Sequence, residues 1–122
     1  MQTATFNPNG GPLVADIRCG FAQPGAYTLL VWESNANVVV MEKRGNFINA
    51  DDDAYELPTP VAQNDGRLAE CIATVVITPP IKDYTVSLVI SQDGREIAAD
   101  TATGQASGGA VPVDLFVNLR AG

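Results

Sequence analysis

The chain of 122 residues contains no histidine. That absence removes the Ser-His and Cys-His nucleophile pairs and the usual histidine-bearing zinc sites, and with them most hydrolase mechanisms. Basic residues are also scarce: seven Lys and Arg stand against fourteen Asp and Glu, for a net charge of -7. The seven (Arg18, Lys43, Arg44, Arg67, Lys82, Arg95 and Arg120) are scattered. A phosphate backbone needs such residues clustered, so nucleic acid is not an expected partner. The one adjacent pair, Lys43 and Arg44, is too small for a polybasic patch, so anionic membranes are disfavoured unless calcium bridges the repulsion. No stretch approaches the roughly 20 apolar residues of a membrane helix, so no transmembrane segment is expected. The opening "MQTATFNPNGG" lacks the basic and apolar regions of a signal peptide. The chain therefore reads as soluble and without an export signal, its compartment left open. GxGxxG and Walker A patterns are missing as well.

What is present suits a globular β-protein. Hydrophobic residues make up 46% and charged residues 17%, enough apolar surface to offset the entropy of ordering one domain of this length. Runs of Val, Ile, Thr and aromatics alternate with Gly, Pro, Asn and Asp clusters, and no sustained 3.6-residue period occurs. Strands are expected at 13–19, 26–32, 37–42, 68–78, 84–91, 95–101 and 111–119, with short ones at 46–48 and 55–57. In "YTVSLVIS", Tyr84, Val86, Leu88 and Ile90 share one face while Thr85, Ser87 and Ser91 share the other. Asp93-Gly94 then makes a hairpin to the next strand. The expected fold is all-β: an antiparallel two-sheet β-sandwich, immunoglobulin-like or jelly-roll-like, of about seven to nine strands. Residues 1–12 read as an N-terminal arm and 13–120 as the sandwich domain. The small-residue run 103–110 reads as irregular, like the arm.

Cys19 and Cys71 fall on the inward parity of their strands, beside Leu13, Ala15 and Ile17 in one and Ala73, Val75 and Ile77 in the other. This leaves open either a disulfide across the core or two buried free thiols. The order Cys19, Trp32, Cys71 and the run "DGRLAEC" at 65–71 resemble the corresponding features of an immunoglobulin domain. Ala69 stands where that family's corner tyrosine is expected, and three strand candidates follow Cys71 where the family has one more. What the resemblance implies is a two-sheet sandwich.

The stretch "NADDDAYELPTPVAQNDGRLAEC" carries the densest set of hard oxygen donors. Asp51, Asp53 and Glu56 are the candidate calcium ligands, with Asp52 and Asp65 nearby. Adjacent Asp residues on an extended chain point to opposite sides, so only alternate ones can converge. A solvated loop is the competing reading. Leu57-Pro58-Thr59-Pro60 reads as a stiff connection to an Asp65-Gly66 turn.

A sandwich with two wet outer faces has no need for apolar residues on the outward parity. This chain has Leu30 and Trp32, Ile72 and Val76, and Phe116 there. Trp32, Phe116, Ile72 and Val76 are accordingly the candidate interface. The function expected from the sequence is a non-enzymatic structural or adaptor subunit that contacts other protein subunits, as a homo-oligomer or in a larger assembly. The alternative is a loop-based module for carbohydrate or another small ligand, with calcium as the only cofactor to consider. A carboxylate-based hydrolase ranks third.

Overall fold

The computed structural model describes residues 2–35, 37–47 and 53–122. Among them the chain runs through β1 (Gln2–Phe6), β2 (Leu13–Gly20), β3 (Gly25–Trp32), β4 (Val39–Asn46), β5 (Asp53–Glu56), a short 3-10 turn (Val61–Asn64), β6 (Leu68–Ile77), β7 (Asp83–Gln92), β8 (Arg95–Gln105) and β9 (Gly109–Ala121). The period-2 patterns explain the central strands. In β6, Ala69, Cys71, Ala73, Val75 and Ile77 are buried while Ile72, Thr74 and Val76 are exposed. β7 buries Val86, Leu88 and Ile90 as its alternation predicts, and hands over to β8 through Asp93 and Gly94, both at positive φ.

The strands form two sheets, ordered β1-β9-β6-β3-β4 and β5-β2-β7-β8. Their inner faces meet in one core, so the two-sheet sandwich expected from the sequence is present. Every pairing is antiparallel except that of β1, which runs parallel to β9. The strand order differs from that of an immunoglobulin domain. After β6, which carries the second cysteine, the chain crosses to the opposite sheet for the β7-β8 hairpin before β9 returns to pair with β6.

Several boundaries depart from the sequence reading. The N-terminal arm contains β1, whose Ala4 and Phe6 lie in the core, so it belongs to the sandwich. Its pattern is too short to stand out, and its partner, β9, is more than a hundred residues away. The run 103–110 is mostly strand: β8 continues through Gln105 and β9 begins at Gly109. Gly104 belongs there because Tyr84 lies across it, and a methyl group at that position would come within 2.6 Å of the phenol oxygen. β4 extends to Asn46 by the same device, with Gly45 lying under the ring of Tyr27. An aromatic ring thus covers a glycine on each of two edge strands.

Buried amides fasten the ends of the sandwich. Gln23 donates to the Ile81 and Asp83 carbonyls and accepts from the Thr78 N–H. At the other end, Gln92 donates to the Asn7 and Gly11 carbonyls and accepts from the Asn7 N–H. Open edges are blunted as well. β1 covers β9 only from Val117 onward. Beyond that point the Phe116 N–H is taken by Asp100 of β8 at 2.9 Å, and Pro112, on the same parity, has no N–H to leave unpaired. Glu42, Lys43 and Arg44 line the other edge in β4, a charge density that opposes strand addition.

Candidate interface

The outer face of the five-stranded sheet carries the features that a packed core does not explain. The strand registers place its residues in rows. Glu42, Leu30, Glu70 and Phe116 lie side by side across β4, β3, β6 and β9, and Arg44, Thr28, Ile72 and Asp114 form the next row. Ile72 and Val76, on the inner strand β6, are 45% and 44% exposed. Trp32 and Phe116 stand on this same face, as their parity predicts, but each is half-buried against its own chain. Leu30 is buried here although it points away from the core. The opposite outer face is different in kind. There Ser87 and Thr101 share a hydrogen bond of 2.9 Å, and Asp16 pairs with Arg18 at 3.1 Å.

Glu70 is the residue that sequence parity overlooked. It occupies an outward position yet is only 8% exposed, and the Trp32 indole N–H donates to its Oε1 at 2.9 Å. Burial, more than any other cause, raises its carboxyl above the usual range. A side-chain hydrogen bond with Asp114 and that neighbour's charge add to the rise, while the indole bond opposes it. Glu70 therefore holds its proton more readily than a solvated acid does. Among the described residues no cation pairs with either one. Arg44, at the far end of the Asp114 row, makes only a 3.8 Å contact with Glu42 and keeps 75% of its side chain exposed. Beside it, a shallow depression of about 330 Å³ opens among Ala26, Thr28, Arg44, Gly45, Ile72 and Thr74.

Among the described residues the calcium candidates do not converge. Asp53 pairs with Ile17 and faces inward, whereas Glu56 pairs with Val14 and faces outward, so the two diverge. Asp51 lies outside the described residues. The described residues contain no group of three or more acidic, Cys or His side chains able to hold a metal. Asp53 instead accepts the Tyr27 hydroxyl, which also contacts the Tyr55 hydroxyl, so β5 is clamped to β3. Burial and then the Asp53 bond push the Tyr27 phenol far above its ordinary value, which fixes it as a proton-holding structural group. Asp65 accepts from the Ala121 N–H and fastens the end of β9.

The cysteines are two free thiols, and no disulfide joins them. Cys71 lies between Leu29 and Leu115 in mid-core, while the Cys19 sulfur contacts the Gln23 carbonyl at the end where Gln23 bonds Thr78. Thr78 is seven residues beyond Cys71, a strand distance on the order of 20 Å, against the roughly 6 Å between Cα atoms that a bridge allows. Trp32 is outside the core and packs against no cysteine, so the immunoglobulin likeness stops at the two-sheet architecture. Phe21 and Ile81 are further exposed apolar residues, 53% and 44%, on the two loops that Gln23 ties together. Among the described residues no helix is long and apolar enough to cross a membrane. No protein family, curated protein or solved structure matches the chain.

Proposed function

We propose that this β-sandwich works without chemistry of its own, as a structural or adaptor subunit that contacts protein through the outer face of its five-stranded sheet. One observation carries the reading: Ile72 and Val76 stand exposed on an interior strand, while the equivalent face of the other sheet is dressed with hydroxyls and a surface ion pair. Exposed apolar groups of this kind, on the same face as half-buried Trp32 and Phe116, mark an interaction surface when rimmed by charge. Glu42 and Arg44, the outward residues of β4, provide that rim. The absence of histidine agrees with a role in contact rather than catalysis.

The test is site-specific photo-crosslinking in cells that make the protein, with the photoreactive residue at Ile72, at Val76, or at Ser87 on the opposite sheet. Adducts of defined mass from the first two positions and none from Ser87 are expected. No adducts, or an equal yield from Ser87, would refute the reading.

A further inference from the structure

We infer that the partner on this face is a second copy of the chain, packed sheet to sheet about a two-fold axis that runs along the strands between β3 and β6. The inference rests on the reading above and names its partner.

The charge pattern of one row carries it. Arg44, Thr28, Ile72 and Asp114 are register partners across four neighbouring strands, a span of about 14 Å at about 4.8 Å per strand. The row bears a cation at one end, an anion at the other and an exposed isoleucine between them. A two-fold axis along the strands, above the midline of β3 and β6, lays this row on its own copy in reverse. Arg44 then meets Asp114 twice, and Ile72 meets Thr28 twice. An axis along the row instead stacks Arg44 on Arg44 and Asp114 on Asp114, which like-charge repulsion forbids. The pattern thus selects one geometry, and an isologous contact of this type closes as a dimer.

The same packing completes what each chain leaves unfinished. The Glu70 and Asp114 carboxyls receive a guanidinium that no described residue of their own chain supplies, and guanidinium geometry suits a paired acceptor. Arg44 exchanges a 3.8 Å contact with Glu42 for a two-carboxyl site, and its exposed stem is free to swing to it. Ile72 and Val76 leave water. Glu42, one row along, comes opposite Phe116 at the rim of the contact, where its carboxylate remains hydrated. The four strands that the axis relates and about eight residues of strand length give a flat footprint of roughly 19 Å by 26 Å, at the small end of specific interfaces, whose standard size is ~800 Å² per partner.

Sedimentation equilibrium from about 1 to about 300 μM tests the proposal by charge reversal. Arg44 and Asp114 are both exposed in the single chain, so their substitution leaves the core untouched, and circular dichroism verifies this for each variant. The wild type is expected to dimerise. Arg44→Glu and Asp114→Arg are each expected to weaken the dimer by about tenfold or more, since each breaks two symmetric pairs. The double variant Arg44→Glu/Asp114→Arg is expected to recover most of the affinity. A monomeric wild type across the range, single variants with unchanged association, or a double variant no better than the singles would each overturn the second copy as partner. The crosslinking experiment separates the two levels. Adducts at Ile72 to a different protein, with a monomeric wild type, remove the dimer and keep the contact face, whereas no adducts at all remove both.

Discussion

Glu70 sits among Leu30, Trp32 and Phe116 on a face where its carboxylate is poorly hydrated, so the folded chain holds the proton to higher pH than the unfolded chain does. Its contribution to stability is therefore fully present in acid, below the ordinary Glu value near about 4.3, and is lost as pH rises through the raised folded value. Glu70→Gln keeps an oxygen for the Trp32 N–H and offers Asp114 a donor in place of a second carboxyl. It is expected to stabilise the protein at neutral pH by about 1 kcal/mol, the worth of a hydrogen bond, and to flatten the acid-side pH dependence. Urea midpoints at pH 5 and pH 7.5 measure both effects, and a less stable Gln variant at pH 7.5 would contradict this account of the site. The thiols are a second case. Burial, with the charges of Asp114 and Glu70 adding to it, pushes Cys71 up to about 12, and burial alone raises Cys19. Alkylation at pH 8 without reductant is expected to leave Cys71 unlabelled in the native state and to label both residues once the protein is denatured. Loss of both thiols before denaturation, recoverable only by reductant, would mean a bridge.

At the scale of elements, β1 is the strand whose importance local sequence conceals. It is only five residues long, but it inserts Phe6, 2% exposed, and Ala4 into the core and covers the last stretch of β9. Removing a buried ring costs the transfer energy of its atoms plus the cavity left behind. Phe6→Ala is expected to lose about 3 kcal/mol or more in urea denaturation, with the m-value unchanged. A loss under about 1 kcal/mol would place β1 outside the cooperative unit. The edges show the complementary economy. A proline, a carboxylate that caps one N–H, and a run of charged residues stand where free strand edges are open to pairing with other chains. These features oppose strand addition along β9 and β4.

For the whole molecule, the net charge of -7 on 122 residues is a self-repulsion that folding concentrates. Screening relieves it, because the Debye length contracts from about 30 Å at about 0.01 M salt to about 10 Å at about 0.1 M. At fixed protein concentration, moving between these salts is expected to raise the melting temperature by a few degrees. A fall on adding salt would show that ion pairs such as the half-buried Arg67 with Glu33, at 2.6 Å, outweigh the repulsion. Concentration must be held constant because the proposed dimerisation would itself shift the midpoint.

Period-2 patterning determined most of this protein by itself. The seven main strands, the core faces of β2, β6 and β7, the Asp93-Gly94 hairpin and the outward placement of Trp32, Ile72, Val76 and Phe116 are all legible, because a side chain's face follows from its parity along an extended chain. What parity cannot carry is which strand lies beside which, and that decided everything else. Asp53 and Glu56 look like neighbouring ligands in sequence, but β5 turns one toward Ile17 and the other toward Val14. Cys19 and Cys71 share the inward face, but the sheets place them at different heights. Glu70 reads as an ordinary outward acid until β3 and β9 bring Trp32, Phe116 and Asp114 against it. The row in which Arg44 and Asp114 oppose one another exists only once β4, β3, β6 and β9 are in register. Local backbone geometry fixes the direction of each side chain, whereas proximity between distant segments is set by the pairing that best buries the whole set of apolar faces at once.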